Sequence, residues 1–102
     1  MEKITDFDIE QAVILWTGWK KTPSPLRDDN TIIETFGKTA GQLLLEKIKH
    51  LEDDFYRSDA RFNASSIEEM ESASAKQFMI LYPNLSPAIA QAFAWCYSFD
   101  YK

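Results

Sequence analysis

Apolar side chains recur at helical spacing through the middle of the chain. The residues of this stripe stand three, four or seven positions apart: Leu44, Ile48, Leu51, Phe55 and Phe62. Because an α-helix completes a turn every 3.6 residues, side chains at these steps share one face. The pattern predicts one long amphipathic helix over Thr39–Phe62, with its charged outer face stabilised by an Asp53–Arg57 pair.

Capping signals predict two further helices before this one. Thr5 and Asp6 are suitable caps for a first helix over Thr5–Lys20, which the prolines of residues 22–25 must end. Asn30 or Thr31 can cap a short second helix. That helix meets Gly37, which is a suitable C-terminal cap.

Two more helices are predicted after residue 63. Ser66 and Glu69 have the spacing of a capping box, and the helix that they begin ends near Tyr82. The inward face of that helix is expected to comprise Ile67, Met70, Ala73 or Ser74, Phe78 and Leu81. Pro87 follows the cap residue Ser86 and stands at the first helical position, where a missing N–H costs nothing.

The last stretch of the chain supports two interpretations. Between residues 93 and 101 aromatic and small residues alternate, which is typical of a strand. The residues from Pro87 to Ala92, however, begin a helix with no turn signal before Phe93. We expect a helix to about Ser98 with an irregular tail, and a strand remains the alternative. The overall prediction is an all-α bundle of four to five helices.

Length and composition indicate one acidic globular domain over residues 1–102. Hydrophobic residues make up 45% of the chain and charged residues 26%, and the net charge is −5. A negative chain is repelled by nucleic acid and by anionic membranes, so we expect neither as a partner and favour a basic protein. The longest apolar run, Ala12–Trp16, is too short to cross a bilayer, and no secretory signal is evident. We therefore expect a cytoplasmic protein.

The sequence gives little indication of catalysis or metal binding. One His and one Cys cannot supply a zinc site, and the three glycines form no phosphate loop. We expect no metal, no cofactor and no catalytic residue. His50 is expected on the surface near Glu46, and Cys96 as a small buried side chain. A small enzyme or ligand-binding domain remains an alternative, with these two residues as its best candidates.

Acidic residues are concentrated on the predicted long helix and at the start of the next one. If these helices form a hairpin about residues 63–65, the acids near the turn lie at one end of the molecule. Tyr56 is the expected exposed aromatic anchor, since aromatic side chains often dominate binding energy. The predicted partner-binding residues are Glu52, Asp53, Tyr56, Asp59, Glu68, Glu69 and Glu71. A simple solvated acidic face is the alternative.

In size, charge, helical content and the acids of residues 52–59 and 68–71, the chain resembles the small acidic helical immunity proteins with which bacteria neutralise basic nuclease or other toxins. Tyr82-Pro83 is similar to the Tyr-Tyr-Pro element of colicin-nuclease immunity proteins, but Leu81 replaces the first tyrosine. No binding residue is therefore transferred from that family. The resemblance implies an acidic patch that steers a cationic partner and a few aromatic anchors that hold it. The sequence does not fix the oligomeric state, and a monomer is favoured. An adaptor, chaperone or self-associating regulatory protein that uses the aromatic C-terminal segment is the alternative.

Overall fold

The structure of the protein, a computed structural model, describes residues 4–102, and these residues form helices without strands. In chain order the helices are α1 (Asp6–Thr17), α2 (Asp29–Phe36), α3 (Lys38–Phe55), α4 (Ala60–Asn63), α5 (Ile67–Leu81) and α6 (Pro87–Tyr101). Helix α4 is a single turn, and the other five form the bundle. The predicted all-α fold is confirmed.

Helix α1 begins as predicted and ends earlier than predicted. The Thr5 hydroxyl accepts a hydrogen bond from the backbone N–H of Asp8, whose carboxylate accepts one from the N–H of Thr5. The helix ends at Thr17 because Gly18 adopts a left-handed conformation with φ 78°. The prediction that α1 continues to Lys20 is wrong.

Helix α2 begins one residue after Asp28, which is its cap. The Asp28 carboxylate accepts hydrogen bonds from the Asn30 N–H at 3.0 Å and from the Thr31 hydroxyl at 2.9 Å. The prediction that Asn30 or Thr31 is the cap is therefore wrong, since both are inside the helix. Gly37 ends the helix as predicted, and α3 follows immediately at Lys38.

The predicted long helix over residues 39–62 is interrupted after Phe55. The Ser58 hydroxyl accepts a hydrogen bond from the N–H of Ala60 at 3.1 Å and donates one to the Gln77 side chain at 2.5 Å. These bonds favour a turn and a new helix start over continuation of α3. Phe62 consequently leaves the predicted apolar stripe and is 74% exposed.

The start of α5 follows the prediction only in part. The Ser66 hydroxyl accepts a hydrogen bond from the Glu69 N–H at 3.0 Å, as the capping box requires. The Glu69 carboxylate, however, accepts from the Ser65 hydroxyl at 2.6 Å and does not return to the cap residue. The helix ends at Leu81, next to the predicted Tyr82.

Helix α6 is continuous from Pro87 to Tyr101, so the irregular or strand-like tail is wrong. The Ser86 hydroxyl accepts from the Ala88 N–H at 3.2 Å, which confirms the predicted cap. Helical spacing places Phe93 and Tyr97 one turn apart, and both are fully buried. Burial of these large side chains outweighs the period-two pattern.

Helix α6 occupies the centre of the core. It packs against α5 and α1, and it is buried on most of its circumference. The α3 stripe is buried against these helices as predicted, except for Phe62. On α5, Met70, Ser74 and Phe78 are buried, whereas the predicted core residues Ile67 and Leu81 are exposed.

Candidate protein-binding surface

The seven predicted binding residues divide into two groups. Glu52 and Tyr56 belong to a polar network centred on a loop arginine, and they are therefore engaged within the fold. The other five are acids that appear in none of the ion pairs found among residues 4–102: Asp53, Asp59, Glu68, Glu69 and Glu71. The proposed partner-binding surface must be sought among these five.

The Arg27 network comprises Arg27, Glu52, Tyr56 and Asp100. The guanidinium of Arg27 donates to Glu52 at 2.9 Å, to the Tyr56 hydroxyl at 2.7 Å and to Asp100 at 2.7 Å. The Tyr56 hydroxyl donates to Asp100 at 2.6 Å. The network thus joins the α1–α2 loop to α3 and to the end of α6.

The network also shifts the pKa of Tyr56. Burial and the hydrogen bond to Asp100 raise the pKa of Tyr56, so its hydroxyl stays protonated. Tyr56 is half-buried with its polar atom engaged, so the prediction that it is an exposed anchor is wrong. Arg27 has a positive φ of 53°, which a non-glycine residue adopts only when its surroundings hold it.

The two side chains considered for catalysis do not lie together in a site. Cys96 is buried, as predicted, and burial raises the pKa of its thiol to about 12, so the reactive thiolate is disfavoured. His50 is on the surface as predicted. Its ring nitrogen lies 3.5 Å from Asp54, however, so the predicted contact with Glu46 is not the one formed.

Asp54 also forms an ion pair with Arg57. The Arg57 guanidinium lies 3.9 Å from Asp54, so the predicted pairing with Asp53 is wrong. Tyr82 donates its hydroxyl hydrogen to the same carboxylate. This bond raises the pKa of Tyr82, which is the tyrosine of the Tyr82-Pro83 pair. Its hydroxyl is therefore occupied inside the fold.

An arginine between two aromatic rings lies near Asp59. The guanidinium carbon of Arg61 lies 4.5 Å from the ring centroid of Phe62 and 4.6 Å from that of Tyr101. Its Nη1 donates to the Ser58 carbonyl at 2.8 Å and to the Tyr97 hydroxyl at 3.2 Å. These contacts hold the Arg61 guanidinium against the two exposed rings.

Contacts between α4, α5 and α6 join the rings to the acids of α5. Glu71 lies near Ser98, which stands one helical turn before Tyr101 and donates its hydroxyl hydrogen to the Trp95 carbonyl at 3.1 Å. Glu68 lies one turn before Glu71 on α5 and interacts with it electrostatically. We define the corner surface as the side chains Asp59, Phe62, Glu68, Glu69, Glu71 and Tyr101.

Each acid of the corner surface has a different local environment. Asp59 accepts from the Gln77 amide at 3.0 Å, and Glu69 accepts from the Ser65 hydroxyl. Glu68 is exposed. Partial burial raises the pKa of Glu71, the nearby Ser98 side chain opposes this shift, and the charge of Glu68 adds to it. Asp53, the remaining predicted acid outside the ion pairs, is exposed on α3 and is not part of the corner surface.

The sequence interpretation missed the aromatic part of this surface. Phe62 was assigned to the core because it continued the apolar stripe, and Tyr101 was placed in an irregular tail. Ser58-Asp59 was the available signal, because these residue types favour helix starts and compete with helix continuation. The position of Arg27 opposite Glu52 and Asp100 had no signal in the sequence.

An open groove is lined by residues of α1 and α3. Its volume is about 450 Å³, and it is lined by Ile4, Ile9, Leu43, Glu46, Lys47 and His50. Within residues 4–102, no three His, Cys, Asp or Glu side chains are grouped so that they could hold a metal ion. The groove presents the apolar side chains of Ile4, Ile9 and Leu43, and Glu46 and Lys47 contribute opposite charges to its lining.

None of the helices in residues 4–102 has both the length and the apolar character needed to cross a bilayer. Comparisons of the chain with protein-family models, with curated proteins and with solved structures find no match.

Proposed function

We propose that this protein binds and inhibits a basic protein, in the manner of an immunity protein that neutralises a toxin. The observation that carries this proposal is the corner surface. There, Asp59 precedes α4 and three acids lie near the start of α5, all outside the ion pairs of residues 4–102, and two exposed aromatic rings lie on the neighbouring helices α4 and α6. Exposed aromatic anchors combined with charge are the features from which binding hot spots are built.

The charge of the corner surface favours rapid association with a cation. The chain has 16 acidic and 11 basic residues, so its long-range field is negative. Glu52 and Asp100 pair with Arg27, and Asp54 pairs with Arg57. The corner acids form no ion pair within residues 4–102, although Arg61 interacts electrostatically with Asp59. Unpaired surface charge of one sign steers an oppositely charged protein and speeds encounter, and this effect weakens with added salt.

The aromatic rings supply the short-range part of the interaction. Phe62 is 74% exposed and Tyr101 is 42% exposed, so both leave apolar area in contact with water. Removing such area from water contributes about 25 cal/mol per Å². A partner that covers these rings therefore gains binding energy that charge alone does not provide.

An adaptor or self-associating protein is the second candidate, and one observation favours it. Ile80 and Leu81 are exposed at the end of α5, beside a groove of about 270 Å³ that Phe55 and Phe78 help to line. Phe93 and Tyr97 of the aromatic C-terminal segment are buried, so Trp95, Phe99 and Tyr101 are the aromatic side chains that it leaves for this purpose. Sedimentation of the isolated chain tests the candidate, because a stable dimer would favour it over the first proposal.

The first proposal is tested by capture of a partner from the native host, followed by kinetics with the purified proteins. The corner variant is Glu68→Gln/Glu69→Gln, and the control is Glu34→Gln/Glu46→Gln on exposed positions of α2 and α3. Both variants change the net charge from −5 to −3, since each removes two acids. They therefore differ in where charge is removed and not in how much.

The proposal expects a basic partner whose association rate falls steeply with salt. The corner variant should lower that rate about 3–10-fold at low salt, and the control by less than about 2-fold. A captured partner that is acidic, an association rate independent of salt, or equal effects of the two variants would each contradict the proposal.

A further inference from the structure

Cys96 is buried beside the Arg27 network. Its side chain has no exposed area, yet it is not part of the contiguous cluster of packed apolar side chains in residues 4–102. The thiol interacts electrostatically with all four members of the Arg27 network. Asp100 stands one helical turn after Cys96, so the network lies along the same face of α6. The α1–α2 loop, which supplies Arg27, therefore contributes to the cover of the thiol.

One side chain attaches this loop to α3 and α6. Within residues 18–28, Arg27 is the residue whose side chain bonds to those two helices. The neighbouring backbone bond instead returns to α1, where the N–H of Leu26 donates to the Thr17 carbonyl at 3.0 Å. Loss of the guanidinium contacts would therefore free the loop from α3 and α6 and leave it joined to α1.

The loop can move while the helices stay folded. Residues 19–28 include no buried side chain, so its displacement uncovers little of the apolar cluster. A segment with few buried contacts opens at a lower free energy than the whole fold. Lys20 and Arg27, near the two ends of the loop, have φ values of 66° and 53°. Residues with side chains keep this left-handed backbone only when their surroundings hold it, so release of Arg27 favours rearrangement of the loop.

We propose that Arg27 is a latch that closes the α1–α2 loop over Cys96, and that release of this latch exposes the thiol while the helices stay folded. The latch is independent of the proposed function. In the closed state the single thiol of the chain is shielded from water and from reagents. In the open state it is solvated and reacts as an ordinary cysteine does.

The test follows modification of Cys96 by N-ethylmaleimide, an uncharged thiol reagent, in the full chain without denaturant. Arg27→Met keeps a long side chain and removes every hydrogen-bond donor of the latch. Because hydrogen bonds to charged groups are lost, this variant should be modified about 10-fold faster or more. Lys49→Met is the matched control, since it also removes one positive charge from an ion pair, here with Asp29. That exposed pair contributes little, so the rate should change by less than about 2-fold.

The urea dependence of the modification separates loop opening from global unfolding. Loop opening exposes little surface, so the rate for Arg27→Met should be nearly constant below the unfolding transition. It should also exceed the rate that the unfolded fraction of the same variant allows. A rate that equals this limit and rises in parallel with global unfolding would overturn the latch.

Asp100→Ala releases the latch from α6 and leaves Arg27 in the loop. It should raise the modification rate in the same manner as Arg27→Met, and it replaces that variant if the latter does not fold. The latch is also overturned if only Arg27→Ala raises the rate, because the arginine would then shield the thiol by its bulk and not by its bonds. Rates equal to that of the unmodified chain in all three variants would have the same consequence.

Discussion

Replacement of Phe55 by alanine gives the most direct test of the packing described above. Phe55 is 1% exposed at the end of α3. Its ring centroid lies 5.2 Å from that of Phe78, 5.9 Å from that of Phe93 and 5.7 Å from that of Tyr97. The ring therefore joins α3 to both α5 and α6, and its removal leaves a cavity between three helices.

The expected loss follows from burial and from the cavity. A buried Phe→Ala change costs about 3–5 kcal/mol, and at 4–8 °C per kcal/mol in a domain of this size the Tm should fall by more than about 12 °C. Phe62→Ala is the matched control, since that ring is exposed on α4. A surface substitution of this kind should change the unfolding free energy by no more than about 0.5 kcal/mol.

Urea denaturation followed by tryptophan fluorescence and by circular dichroism measures both changes. If Phe55→Ala does not fold, Phe55→Leu provides a smaller loss that can still be compared with the control. Equal losses at the two positions would mean that the chain continues as one helix past residue 55. A loss below about 1 kcal/mol at Phe55 would place that ring outside the core.

Four further results are expected. Arg27→Ala should lower the unfolding free energy in urea by about 1–3 kcal/mol, because it removes charged hydrogen bonds to α3 and α6. Gly41→Ala should lower the Tm despite alanine's higher helix propensity, because the added methyl group would lie 2.9 Å from the side chain and 3.0 Å from the backbone of Ile33. The Cys96 thiol should not react with Ellman's reagent until urea unfolds the chain, since it is buried with a raised pKa. Glu71→Gln should raise the Tm at pH 7 but not at pH 3. Burial raises the folded-state pKa of the Glu71 carboxyl, so its charge destabilises the fold only at a pH where the carboxyl is ionised. The gain in unfolding free energy should stay below about 1 kcal/mol, because Glu71 is only partly buried.

The helix pattern of this chain could be predicted because the local signals agree with the tertiary contacts. Thr5, Ser66 and Ser86 cap the helices that their side chains predict, and Gly37 separates α2 from α3. In each case the bond is made within a few residues of the capping group. Such bonds depend little on what the rest of the chain does.

The end of α3 could not be predicted from periodicity alone. Phe62 lies seven residues after Phe55, so the stripe favours continuation, whereas the Ser58 hydroxyl favours a new start. What decides between them is distant in sequence. Gln77 accepts the Ser58 hydroxyl hydrogen, and Tyr97 donates to the Ser58 carbonyl at 2.8 Å. Only the packed fold brings these groups to the turn.

The acids that form ion pairs could not be predicted from the sequence, for a similar reason. Composition gives the excess of acids, but it does not say which acids meet a cation. Arg27 reaches Glu52 and Asp100, 25 and 73 residues away in the chain. Those contacts engage Glu52 and Tyr56 within the fold, and the acids of α5 form none of the ion pairs found among residues 4–102.

A structural explanation competes with the binding proposal for two of the corner acids. Glu68 and Glu69 stand in the first turn of α5, where carboxylates stabilise the positive end of the helix dipole. This explanation does not extend to Glu71, which lies beyond the first turn and is partly buried. Burial raises the pKa of Glu71, so the fold itself opposes the charge, and none of the ion pairs in residues 4–102 compensates it. A bound cation at the corner surface would remove that penalty, so the charge that folding disfavours is the one that binding a basic partner would stabilise.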